Sequence, residues 1–250
     1  MTSLLAVDNV SHRFGRLLAV NGLSMLIEPG ELRAVIGPNG AGKTTFFNLV
    51  SGLYEPTSGR IYFDGRDITA LPPHERVALG IARTFQVTEI FPELTVRENL
   101  RIAVESTCGH RLRVWLPRRL DAGVRSRISE LLDLAGLGSR ADRLAGELSH
   151  GDQRATEIMM ALALEPRLLL LDEPTAGMSD QETYAIAELV RRVHNERHLT
   201  TILIEHDMRV IFHLAHRITV LAEGATLADG TPSEIGRNES VQAAYLGSTR

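Results

Sequence analysis

A single cysteine, Cys108, excludes an internal disulfide and argues against a cysteine-based metal site, which suits a reducing compartment. No apolar run approaches the ~18 residues needed to span a bilayer. The longest candidates, residues 158–164 and 168–171, read instead as core segments. The start of the chain, Met1 to Val10, lacks a basic stretch and carries Asp8 early, so no secretion signal is expected there. Basic residues do not outnumber acidic ones: Lys+Arg is 27, Asp+Glu is 31 and the net charge is −4. That leaves no general electrostatic attraction for nucleic acid, and no nucleic-acid partner is expected. Heptads, internal repeats and low-complexity tracts are also missing. Any work at a membrane is therefore expected to pass through partner chains.

What is present is the pattern of one α/β domain spanning residues 1–250, a length sufficient for a substantial buried core. Short β-like runs recur at 24–27, 32–36, 60–63, 168–171, 201–205 and 218–221, and helical patterns separate the later ones. Buried apolar strands alternating with helices predict a mainly parallel sheet. Turn residues at Glu28-Pro29-Gly30 and Asp64-Gly65 predict hairpin-like connections, and with them an antiparallel β element beside that sheet. Residues 153–164 read as a helix ended by Glu165-Pro166, and Asp180 opens another running to about 196. The stretch 87–149 has little β character and reads as a helical lobe inserted between two parts of the core, 1–86 and 150–250.

The strongest chemical signal is Gly37-Pro38-Asn39-Gly40-Ala41-Gly42-Lys43-Thr44-Thr45, which fits the phosphate-binding loop G-x-x-x-x-G-K-[ST]. It stands in the confirming context, after the strand 32–36 and before the apolar helical run 46–50. Gly37, Gly40 and Gly42 let backbone N–H groups turn toward an anion, and the helix N-terminus adds partial positive charge. Lys43 is expected at the terminal phosphates of a nucleotide and Thr44 on Mg²⁺, with Asn39 and Thr45 completing the loop.

Leu168-Leu169-Leu170-Leu171-Asp172-Glu173 sets two carboxylates at the C-terminal end of a buried strand, the edge where open α/β sheets bind ligands. Asp172 suits a Mg²⁺ shell, and Glu173 suits polarising a water for attack on a γ-phosphate. Leu148-Ser149-His150-Gly151-Asp152 opens a helix with a hydroxyl and a glycine, suited either to an anion or to a plain helix cap.

The phosphate loop, this Leu-Ser-x-Gly segment ahead of Asp172-Glu173, and His206 after the next strand follow one another as they do in ABC ATPases, which the chain resembles over nearly its whole length. The resemblance implies a phosphate-loop ABC ATPase core with a mainly parallel sheet, an antiparallel β element and an inserted helical lobe. It implies ATP and Mg²⁺ as ligands, Glu173, His206 and Gln86 as catalytic groups, and Thr44, Gln86 and Asp172 around the metal. Phe14 is similar to the aromatic that stacks on adenine. Ser149 and Gly151 would serve the ATP held by an opposite subunit. The implied partners are a second ABC ATPase, identical or different, two integral-membrane permease subunits and a solute-binding protein. The implied location is peripheral, at the cytoplasmic face of the cell membrane.

The segments Gly151-Asp152-Gln153-Arg154, Arg83-Thr84-Phe85-Gln86, Ile204-Glu205-His206-Asp207-Met208 and Ala244-Tyr245-Leu246-Gly247 resemble one subgroup, the ATPases of branched-chain amino acid importers. A related amide such as urea also fits that subgroup as solute. Two departures from the family pattern stand out. His150 and Asp152 replace the usual glycine and glutamine of the signature, and Asp152 brings a carboxylate toward a phosphate. Ser179 stands where the family usually has aspartate. The competing readings are the ATPase of a lipopolysaccharide or lipid exporter, and an ABC ATPase outside transport.

Overall fold

A computed structural model describes residues 3–84, 89–107 and 118–246. In chain order the elements are β1 (Leu5–Phe14), β2 (Leu17–Ile27), β3 (Leu32–Ile36), α1 (Lys43–Ser51), β4 (Ser58–Phe63), β5 (Arg66–Asp67), α2 (Pro73–Ala78), β6 (Ile81–Arg83), α3 (Val96–Thr107) and α4 (Arg118–Ala135). Two 3₁₀ turns, Gly138–Arg140 and Ala145–Glu147, lead to α5 (His150–Ala163), β7 (Leu168–Asp172), α6 (Asp180–Arg197), β8 (Thr200–Ile204), α7 (Met208–Leu214), β9 (Arg217–Ala222), β10 (Ala225–Gly230), α8 (Pro232–Gly236) and α9 (Glu239–Leu246).

Two sheets result. The larger runs β10-β9-β3-β8-β7-β6, parallel throughout except for the antiparallel edge strand β10. The smaller, β2-β1-β4-β5, is antiparallel. Strand parity explains how the larger sheet stays buried on both faces. Ala34, Leu169, Leu171 and Leu203 face one hydrophobic cluster, which also holds the buried sides of α3, α4, α5 and α6. Val35, Leu168, Leu170, Ile202 and Ile204 face a second cluster, shared with β1, β2, β4 and α1. Helix α1 is sandwiched there, with Phe46, Phe47, Leu49 and Val50 fully buried.

The turn at Asp64-Gly65 makes the expected hairpin between β4 and β5. The Glu28-Pro29-Gly30 turn does not, because it carries the chain from β2 in one sheet to β3 in the other. Helix α5 starts at His150, three residues before the expected start, because Ser149 supplies the cap. It packs against both α3 and α4.

The far end of α1 is closed by a buried arginine. Arg76, 1% exposed, donates to the carbonyls of Leu49 (2.6 Å) and Val50 (2.9 Å) in the last turn of α1, and to those of Thr69 (2.9 Å) and Leu71 (2.9 Å). Burial lowers its pKa to about 10, so it remains a cation at neutral pH. A cation at a helix C-terminus complements the macrodipole and satisfies carbonyls that the helix leaves orphaned. Arg76→Met is expected to destabilise the fold by about 3 kcal/mol, since the carbonyls lose their donor inside the core. Urea unfolding of the two proteins would measure it, and a difference below ~1 kcal/mol would mean water replaces the guanidinium.

Candidate active site

The loop between β3 and α1 is shaped by close backbone approach. Gly42, the N-cap of α1, is left-handed (φ 96°), and a Cβ there would lie 2.5 Å from the Ala19 carbonyl oxygen of β2. A Cβ on Gly37 would lie 2.2 Å from the carbonyl oxygen of Leu221. Gly42 has no side chain to cap α1, and among the described residues no side-chain cap is made there, which suits its opening N–H groups to an anion. The Lys43 ammonium donates to the carbonyls of Gly37 (2.7 Å) and Pro38 (3.1 Å), lying within the curl of its own loop. Burial pulls the Lys43 pKa below its ordinary value, while the charges of Glu173 and Asp172 oppose that shift. Asn39, Gly40 and Thr44 are exposed on the loop and the first turn of α1, and Thr45 is half-buried.

Asp172 ends β7, next to β8 in the sheet. Its carboxylate receives Arg83 Nη2 at 2.9 Å, and its carbonyl receives Arg154 Nη2 at 2.6 Å. Burial raises the Asp172 pKa, and Arg83 counteracts this. The chain turns through a left-handed conformation at Glu173 (φ 45°), fixed by its N–H on the Ile204 carbonyl at 2.9 Å. A non-glycine residue held there is costly and is found disproportionately at functional sites. His206 Nε2 and Glu173 Oε1 are 2.8 Å apart. Glu205, buried, braces both sides of this pair: it accepts from the N–H of His206 (2.8 Å) and the N–H of Thr175 (3.0 Å).

Phe14 is not a core aromatic. It is 44% exposed at the end of β1, edge-on to His12 (4.6 Å between ring centroids) and Tyr54 (5.3 Å). It pairs with Leu17 in the strand whose Ala19 touches the phosphate loop. Ser149 caps α5, accepting the Asp152 N–H at 3.2 Å. Among the described residues neither Ser149 nor Gly151 bonds to the loop around Lys43; Gly151 donates to Glu182 instead. The Asp152 carboxylate meets Arg140 at 3.3 Å, which offsets the negative charge that its position in the signature raises. Gln86 lies outside the described residues.

The oxygens and cations gathered here suit a magnesium nucleotide. Among the described residues no group of three or more His, Cys, Asp or Glu could hold a metal ion by itself. Mg²⁺ is commonly held by one or two protein oxygens together with substrate phosphates. Thr44 and Asp172 offer such oxygens. A cavity of about 980 Å³ opens at the opposite end of β3. In its lining Arg33 pairs with Glu31 and Asp229, and Arg217 pairs with Asp229.

Residue-type patterns missed Arg83, Arg154, Glu182 and Glu205 as neighbours of the site. The available signal was a charged residue inside an apolar segment, as in Ile81-Ala82-Arg83.

Residues 20–176 match the family model described as ABC transporter. Residues 225–249 match the model described as branched-chain amino acid ATP-binding cassette transporter. The chain is 41% identical over 249 residues to the high-affinity branched-chain amino acid transport ATP-binding protein BraF of Pseudomonas aeruginosa, covering 98% of each. It is 40% identical to LivG of Escherichia coli, which carries the same description, again over 98% of each. Among solved structures, a nucleotide-free ATP-binding cassette from an ABC transporter superposes with a TM-score of 0.85 at 29% identity, over 98% of this chain and 99% of that one. An ATP-binding cassette in a dimeric post-hydrolysis state with ADP and Pi gives 0.77 at 26%, over 91% and 98%.

Proposed function

The chain belongs to the ABC transporter family as an ATP-binding, ATP-hydrolysing subunit, and from that premise we propose that it powers the uptake of branched-chain amino acids. An ABC ATPase of this kind works with membrane permease subunits and as a dimer. In our reading the partners are two permease subunits, a second ABC ATPase and a solute-binding protein, and the chain sits peripherally at the cytoplasmic face of the cell membrane. No helix among the described residues is long and apolar enough to cross a membrane.

The observation that carries the site assignment is the convergence at one sheet edge. Lys43 senses both Asp172 and Glu173, and Glu173 reaches His206 at 2.8 Å. In this reading Lys43 places a point charge on the β- and γ-phosphates, and the loop from Gly37 to Thr45, with Asn39, Gly40 and Gly42, offers N–H groups to their oxygens. Thr44, Asp172 and Gln86 would hold Mg²⁺, which when bound would neutralise phosphate charge. Glu173 accepts the proton of the attacking water, and His206 orients Glu173 and the γ-phosphate. Phe14, exposed near the loop, stacks on adenine. Ser149 and Gly151 complete the site of the opposite subunit, a composite arrangement that a twofold dimer forms twice.

Uptake of labelled leucine, isoleucine and valine by cells lacking this gene tests the solute assignment. The expected result is a loss of at least ~10-fold, restored by the wild-type gene and not by Lys43→Ala. Unchanged branched-chain uptake with loss of another solute would overturn the solute and leave the motor standing.

A further inference from the structure

The start of α5 is already occupied by a carboxylate. Glu182 Oε1 accepts the Gly151 N–H at 3.2 Å, while Oε2 accepts the N–H (3.2 Å) and the hydroxyl (2.8 Å) of Ser179. Ser179 and Glu182 form the capping box of α6. One side chain thus ties the segment that opens α5 to the loop that opens α6. The packing is close as well: a Cβ on Gly151 would lie 3.2 Å from Glu182 Cγ. The hydroxyl and N–H of Ser179, then the Gly151 N–H, hold the Glu182 carboxyl below its ordinary pKa, so it is an anion at neutral pH.

This arrangement gives Ser179 a physical reason. Its hydroxyl donates to Glu182, whereas an aspartate there would set a second carboxylate against the first. It also creates a conflict, on the composite-site reading above. That reading assigns the Gly151 N–H to a phosphate of the partner subunit's nucleotide. One N–H cannot serve two anions well, and a phosphate oxygen placed on it would stand close to Glu182 Oε1, where like charges repel.

We infer that Glu182 is a positioning residue of the composite site: it holds Gly151 and Ser179 together in the separate subunit, yields Gly151 when the partner's nucleotide docks, and so sets the MgATP concentration at which two subunits close.

The test uses the Glu173→Gln chain as parent and follows dimerisation by light scattering as MgATP is raised. Adding Glu182→Gln or Glu182→Ala is expected to lower the half-saturating MgATP by about tenfold. Ser179→Ala breaks the same helix cap but leaves the carboxylate on Gly151, and should not lower it. A purely structural role predicts no lowering, because losing the cap costs α6 stability, about 2–4 °C in melting temperature, and does not favour closure. An unchanged or higher MgATP requirement in both Glu182 variants would overturn the inference while leaving the composite site intact. A parent that never dimerises would overturn the composite reading for two copies of this chain, and the inference with it.

Discussion

Lys43→Ala is expected to lower kcat/KM for MgATP by at least ~100-fold, with most of the loss in nucleotide affinity. The magnitude follows from chemistry. A charge-assisted contact to phosphate in a partly desolvated site is worth about 3 kcal/mol, and each 1.4 kcal/mol is tenfold. The geometry makes the loss hard to compensate. Lys43 is 7% exposed, and its ammonium already lies within the loop, on the carbonyls of Gly37 and Pro38. The structure places no second lysine in the loop or in the first turn of α1. The variant should keep its fold, because Phe46, Phe47, Leu49 and Val50 hold α1 independently of Lys43. Titration with a fluorescent ATP analogue and a melting curve would separate the two effects. Unchanged affinity and turnover in a folded variant would refute the phosphate role.

Glu173→Gln is expected to reduce turnover by ~10²–10⁴-fold while ATP still binds. The amide keeps the size of the side chain and an oxygen acceptor for His206, but it cannot take a proton from water. The left-handed backbone at residue 173 and its bond to the Ile204 carbonyl do not depend on the side chain, so the geometry should persist. With hydrolysis slowed, the ATP-bound closed dimer should accumulate and appear by size-exclusion chromatography in MgATP. Wild-type turnover would remove Glu173 as principal base. Slow turnover with lost ATP binding would instead indicate that the carboxylate supports Lys43, whose pKa it helps to hold up.

Much of this architecture was legible along the chain because it is written in local pattern. Strand β3 matched its expected bounds because Leu32, Ala34, Val35 and Ile36, interrupted only by Arg33, lead directly into a glycine loop. The core of β7 was equally clear, and Asp172 and Glu173 follow it directly. Elements with weaker patterns were missed. β6 is only Ile81–Arg83, and β10 has mostly half-buried or exposed residues, so neither shows a clean apolar run. β2 was seen only at its end because Val20 and Leu23 alone are buried among its earlier residues, too few to show a clean alternation.

The amino-acid sequence by itself determined the phosphate loop, the carboxylate pair and the order of motifs, because these need particular residue types at short spacings. Only the tertiary structure decided which distant side chains meet. His206 reaches Glu173, Arg83 reaches Asp172, Glu205 braces Thr175, and Glu182 covers Gly151. Each pair joins separate elements, so its existence depends on strand order and helix packing rather than on local pattern. Burial is decided at that level too. A charged residue such as Arg76 or Arg83 looks like surface along the chain, and becomes part of the core only when the fold brings carbonyls or a carboxylate to meet it.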